Sequence, residues 1–292
     1  MFAYYPKENL DLSRFDTKNV KDMSYMFYKS KSLSSLNLSK FNTSNVENMA
    51  HMFDSCEGFL DLDLSNFNTS KVKNMSGMFK SCISARDLDF SHFDTRNVVD
   101  MSHMFENCDS LYSINLTGFD TQNVQDMNSM FKSCLSLEEL DISTFNTKSV
   151  VDMSHMFQNL DLIKSINLKN FDTSNVKNMS YMFHYCSFLE YLDVSKFDTG
   201  EVLDMSYMFS YCRTFSVLNI KNFKTNKVEN MDQMFSYKLS IKKLDVEGFD
   251  TGEVKNMSGL FEGCSSLNEL DVSNFKTKRV QDMSKMFEDC KI

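Results

Sequence analysis

Cysteine, histidine, methionine and carboxylate are the side chains here that could bind a metal or carry a reaction, and each type recurs at a fixed interval. All 8 cysteines, Cys56, Cys82, Cys108, Cys134, Cys186, Cys212, Cys264 and Cys290, fall in one column of spacing 26. Ser30, Leu160 and Lys238 fill its other slots, and the leucine shows that the slot accepts an apolar group. On adjacent rungs of a stack the Cα atoms would lie about 5 Å apart, within disulfide range. Parallel in-register side chains rarely reach the disulfide torsion, so buried free thiols are expected. No CxxC or Cys-His spacing points to zinc. Of the 5 histidines, His51, His103 and His155 share one slot at intervals of 52, while His92 and His184 stand elsewhere. Two rungs are roughly 10 Å, too far for one ion held at about 2 Å per bond, so solvated surface histidines are expected. The 22 methionines fall nearly all in two columns beside a phenylalanine column, where packing against rings outweighs soft-metal binding. No catalytic residue, metal ligand or cofactor follows from these spacings.

Two outward-facing sets of residues carry more information. Asp11, Asn37, Asp63, Asp89, Asn115, Asp141, Asn167, Asp193, Asn219, Asp245 and Asp271 form a ridge in which amides dilute the carboxylates. Calcium needs six or more oxygens around one point and a row on a sheet offers fewer, so a solvated or partner-facing ridge is expected. Tyr185, Tyr211 and Tyr237 occupy one slot in three consecutive repeats, and Tyr181 and Tyr207 occupy another four residues earlier. Tyrosine buries much area at small entropic cost and is enriched in binding hot spots. These five, with Asp63, Asp89, Asp193, Asp245 and Asp271 on the other face, are the candidate partner-binding residues.

A repeat positions all of these columns. Met-x-x-Met-Phe, as in Met179 to Phe183, returns every 26 residues from Met23 to Met283, with one Met replaced by Leu260, giving eleven copies without insertion or deletion. A period of 20 to 50 residues marks a solenoid, in which each unit touches only its neighbours. Leu36 and Leu38 with polar Asn37 between them have the two-residue alternation of a short strand. Val46, Met49, Met52, Phe53 and Cys56 fall at offsets 0, 3, 6, 7 and 10, which gather on one face of a helix. An Asp or Asn before the first Met, as at Asp22, Asn48 and Asp100, is placed to cap that helical turn. Thr17, Thr43, Thr69 and their successors to Thr277 supply loop hydroxyls for backbone groups. Strand plus short helix in a unit beginning L-x-x-L-x-L is the leucine-rich repeat pattern. The expected fold is therefore an α/β repeat: a curved, right-handed leucine-rich-repeat solenoid of eleven 26-residue coils, one short parallel strand plus a helical turn per coil. Leu36, Leu38, Phe41, Val46, Met49, Met52, Phe53 and Cys56, with their equivalents, should be buried. Residues 1–9 are an N-terminal extension and 10–292 the solenoid.

The unit from Leu111 through Asn115, Phe119, Asp120, Thr121 and Val124 to Met127 resembles the BspA-type leucine-rich repeat surface proteins, including the 26-residue repeats abundant in mycoplasmas. That resemblance implies a non-enzymatic protein at the cell surface or outside the cell, acting as an adhesin or binding host or matrix proteins. Such proteins carry a signal peptide, lipobox or wall anchor, and none is found in this sequence. The sequence stops at Lys291-Ile292 inside a repeat, so a piece of something longer is expected.

Composition narrows the partner. A formal net charge of -9, from 31 basic and 40 acidic residues, works against nucleic acid, since phosphate binding needs clustered Lys and Arg. No apolar run of about 18 residues would insert in a membrane, and Met1 to Asn9 lacks the basic start and apolar core of a secretory signal. A protein ligand or self-association is expected. The rivals are a rigid spacer displaying another domain and an intracellular scaffold, the latter because free cysteine is usual in the cytoplasm. An ice-binding row of threonines is disfavoured, since each Thr follows a core Phe in a loop.

Overall fold

The computed structural model describes residues 1–214, 216–237 and 240–291. Lys238 and Ile292, named above, lie outside the described residues. The chain is a tandem repeat whose 26-residue units stack in parallel. Isolated parallel bridges link Asp22 to Asn48, Asn48 to Asn74, and onward at the same step to Asn256 and Asp282.

The stacking follows from where the backbone N–H groups go. In the first unit Met23, Tyr25, Phe27 and Lys29 donate to the carbonyls of Asn48, Ala50, Met52 and Asp54 in the next, at 2.8 to 2.9 Å. The intervening Met26, Tyr28 and Ser30 donate three residues back, to Met23, Tyr25 and Phe27, at 3.1 to 3.2 Å. Every second N–H thus joins units and the rest close turns. A helix would spend all of them four residues back and leave none for the neighbour. Among the described residues there is no helix, which corrects the expected helical turn. Two residues per unit stand at left-handed φ, Tyr25 and Lys29 at 55° in the first, and these break the helical path into successive turns. Asp22, Asn48 and Asp100 therefore cap turns rather than helices: each Oδ1 accepts the N–H two residues on, from Ser24 (2.8 Å), Ala50 (3.0 Å) and Ser102 (2.9 Å).

On the leucine side the expected strand in every unit is intermittent. β1 (Asn9–Leu10) pairs in parallel with β2 (Ser35–Leu36), and β3 (Asp87–Asp89) with β4 (Ser113–Asn115). Beyond them single bridges join Ser165 to Tyr191 and Lys243 to Glu269. Each strand is cut short because the following Asp or Asn turns the chain at once, as Asn37 Oδ1 does by accepting Ser39 N–H at 3.0 Å. Where pairing lapses a cleft opens, as between Glu138 to Asp141 and Leu162 to Asn167.

Between the two sides lies the core. Val46, Met49, Met52, Phe53 and Cys56 have no exposed surface, and neither do most of their equivalents. The phenylalanine column stacks ring on ring, Phe27 on Phe53 at 5.5 Å and 5°, Phe131 on Phe157 at 6.2 Å and 2°. Leu36 departs from the expected burial: it is only partly covered, as are Leu10, Leu62, Ile114 and Leu270 in the same column. Met283 and Phe287, with a neighbouring unit on one side only, are 49% and 45% exposed. Thr17 Oγ1 donates to Asn42 O (3.0 Å) and accepts Asn42 N–H (2.8 Å), and later threonines repeat this, so the hydroxyl serves two backbone groups of the next unit. Cys56 Sγ donates to Phe27 O at 3.1 Å, and burial pushes its thiol up to about 12, too high for a reactive thiolate. At the start, Phe2 stacks on Phe27 at 5.9 Å, and Phe2 and Tyr4 donate to Met26 O and Tyr28 O. The first nine residues thus lie against the first unit.

Candidate binding surface

Because core columns are fixed by stacking, differences between units gather outside. On the methionine side three slots vary most: the residue two after the first Met, the residue three further on, and the one after that. The first and third of these carry the left-handed φ in unit after unit.

In three consecutive units the second slot is charged, with Lys80, Glu106 and Lys132. Glu106, 5% exposed, accepts from Lys80 Nζ (2.5 Å), Lys132 Nζ (3.2 Å) and His103 Nδ1 (2.7 Å). Burial alone would raise its carboxyl, but the hydrogen bonds of His103 and Lys80 and the charges of Lys80 and Lys132 hold it well below the usual range. His51 contacts Asp54 at 2.8 Å, and His155 contacts Gln158 at 2.5 Å. His92 Nε2 meets Leu64 O at 2.9 Å. Solvated surface histidines were the expectation: His92 is exposed as expected, whereas His51, His103 and His155 are part-buried and each pairs with the second slot of its own unit.

Three units on, the same slots are aromatic. Tyr181 stacks on Tyr207 at 4.4 Å and 7°, while Tyr185 stacks on Tyr211 at 4.3 Å and 6°, and Tyr211 on Tyr237 at 4.5 Å and 23°. The structure thus brings all five predicted tyrosines together, as two parallel stacks whose faces cover one another and whose edges meet solvent. Tyr185 is 38% exposed and the other four are half-buried, so less ring surface is open than a patch of five suggests. All five have φ between 55° and 59°. Gln233 Nε2 donates to Tyr207 Oη (2.7 Å), Tyr237 Oη donates to Glu262 Oε1 (2.8 Å), and Arg213 lies 5.7 Å from the Tyr211 ring. Burial, and then the charge of Asp232, raise the Tyr207 hydroxyl.

Between the stacks sits His184, which sequence reasoning placed on the surface. It is 8% exposed and roughly perpendicular to Tyr181, Tyr185, Tyr207 and Tyr211, with ring centroids 4.6 to 5.8 Å away. Its Nδ1 is buried without a hydrogen-bond partner. Burial first, then the nearby His155, push its imidazole down to about 4.

The acidic ridge is exposed, but each carboxylate already has a task. Asp63 accepts Ser65 N–H (2.9 Å), Asp89 accepts Ser91 (2.9 Å), Asp193 accepts Ser195 (3.0 Å), Asp245 accepts Glu247 (3.2 Å) and Asp271 accepts Ser273 (2.8 Å). Serine hydrogen bonds hold Asp63, Asp89, Asp193 and Asp271 below the usual carboxylate range. Asn37 and Asn115 close the same turn, which explains why Asp and Asn alternate there. Among the described residues no group of three or more His, Cys, Asp or Glu is placed to hold a metal ion. Sequence reasoning missed Phe188, Tyr191 and Val217 on the leucine side, 56%, 65% and 75% exposed. The signal was an aromatic and an aliphatic at an outward slot otherwise filled by Asn, Ser, Asp, Glu or Lys.

Four overlapping matches to a family model described as a Mycoplasma protein of unknown function, DUF285, cover residues 1–110, 83–188, 161–244 and 214–292. No curated protein matches the chain. A crystal structure of a leucine-rich repeat protein from Bacteroides ovatus is similar over 67% of this chain and 57% of its own, at 17% identity and a TM-score of 0.40. The chain thus spans little more than half the length of that protein.

Proposed function

The chain belongs to the DUF285 family, and on that premise we propose that it is a non-enzymatic protein-binding module of the BspA leucine-rich-repeat kind. In this reading it is a solenoid of eleven coils, displayed at the cell surface or outside the cell, that captures a protein ligand or a second copy of itself through the tyrosine stacks. One observation carries the proposal. Tyr181, Tyr185, Tyr207, Tyr211 and Tyr237 all stand at left-handed φ, which disfavours a side chain by about 1 kcal/mol or more. Gly77, Gly259 and Gly263 fill equivalent slots at φ of 55° to 67°, and so do Ser, Lys and Asn. The stack does not need tyrosine there, and five tyrosines gathered in slots that accept glycine or serine are the residue type enriched where proteins bind one another.

Support for a rigid spacer comes from the unbroken bridge ladder from Asp22 to Asp282. The double substitution Tyr185→Ala with Tyr211→Ala separates the two readings. With an unchanged melting curve, self-association by light scattering and capture of surface and matrix proteins should weaken by about 1 to 2 kcal/mol per tyrosine. Unaltered behaviour in both assays would leave the spacer.

A further inference from the structure

The leucine side changes character along the chain. Its outward slots hold serine or charge through most units, but in two consecutive units they hold Tyr191 and Val217, 65% and 75% exposed, with Phe188 at 56% three residues before Tyr191. Tyr191 lines a cleft with Ile166, Leu168 and Phe197, beside the single bridge from Ser165 to Tyr191, and Asp193, Lys169 and Lys196 stand at its margin. Large apolar side chains exposed in neighbouring units mark a candidate interaction site. Toward the N-terminus the same face is acidic, with Asp61, Asp63, Asp87, Asp89, Glu139 and Asp141 all exposed. From Asp61 to Asp193 neither outward column holds a Lys or Arg. The column one residue before them holds Arg86 and Lys164, which offset part of the charge, and also the exposed Leu60 and Tyr112.

We infer that this face is a second docking surface and that its occupant is an extended basic polypeptide segment with an apolar end, laid across the units. The inference deepens the protein-binding reading and rests on it. Charge complementarity selects the occupant: lysine or arginine side chains meet the carboxylates of Asp63, Asp89, Glu139 and Asp141, while the apolar end covers Phe188, Tyr191 and Val217. A second copy of a chain with net charge -9 is repelled here. The lengths agree. Asp61 to Val217 is six steps of 26 residues, about 29 Å at roughly 4.8 Å per step, and nine extended residues reach about 30 Å.

The probes are two fluorescein-labelled peptides, six lysines followed by Leu-Phe-Leu and the reverse order, titrated against the full chain by fluorescence anisotropy. At least one should bind. Affinity should fall about tenfold for Tyr191→Ser with Val217→Ser, and should lose much of its salt dependence for Asp63→Asn with Asp89→Asn and Asp141→Asn. Six glutamates followed by Leu-Phe-Leu should not bind, and Tyr185→Ala with Tyr211→Ala should leave the lysine peptide bound as before. The inference is overturned if neither lysine peptide binds, if the glutamate peptide binds equally, or if the Tyr191 and Val217 variant matches the parent. Loss confined to the Tyr185 and Tyr211 variant assigns the peptide to the tyrosine stacks and also overturns it. Failure of the tyrosine-stack reading shows separately, as self-association and capture that those two substitutions leave intact.

Discussion

Glu106 and His184 occupy the same slot three units apart, and their surroundings differ in a way that separates support from display. Around Glu106 every partner is matched: two lysines and a histidine converge on one buried carboxylate. Around His184 stand four tyrosine rings and the Ser210 backbone, to which the imidazole bonds, while Nδ1 goes without a partner. Buried polar groups are normally satisfied, and one left unpaired forfeits about 1 to 3 kcal/mol. The backbone ladder is the same in both places, so the fold tolerates either set. The charged zone closes the surface with ion pairs, whereas the aromatic zone sacrifices polar satisfaction to hold tyrosine edges in an ordered row.

The largest test of that contrast is Glu106→Ala, which leaves Lys80, Lys132 and His103 facing one another without their counter-charge. Urea unfolding should show a loss of roughly 3 kcal/mol. Because the folded carboxyl lies below its ordinary value of 4.5, its stabilisation is complete above that value and drains away as pH falls toward the folded one. A loss no larger than that for a surface glutamate would make the charged zone ornamental.

His184→Phe works in the opposite direction. It keeps a planar ring between the stacks and removes the orphan nitrogen, so the chain should gain about 1 kcal/mol at neutral pH. The parent imidazole is held at about 4, against an ordinary 6.5. It stays neutral when folded and charges more readily when unfolded, so the parent should lose stability as pH falls from 6.5 toward 4. Thermal melts of the variant should lack that component. Destabilisation by His184→Phe would mean that the imidazole's bond to the Ser210 backbone outweighs the orphan nitrogen, and would erase the difference between the zones.

The smallest effect belongs to the ridge. Asp63→Asn should leave the urea-unfolding midpoint unchanged, because Asn37 already closes the equivalent turn through the same Oδ1 contact. A large loss would show that the charge, rather than the turn, is what the ridge supplies.

The repeat was legible in the sequence because a stacked array needs like residues at like places. Met49, Met52, Phe53 and Val46 recur at one period, and burial is the physical reason for an apolar column that never lapses. The five tyrosines were legible too, since a shared period places residues in shared columns. Three things waited on the stack. Offsets of 0, 3, 6, 7 and 10 from Val46 suit a helix and a chain of three-residue turns equally, and what separates them is whether alternate N–H groups find a carbonyl in the next unit, as Met23 finds Asn48. Left-handed φ at Tyr25 or His51 carries no glycine to announce it, because contacts between units, not the residue's own preference, hold that backbone. His184 looked like its surface counterparts, and its burial came only when tyrosines from two neighbouring columns closed over it, a consequence of side chains 26 residues apart meeting in space.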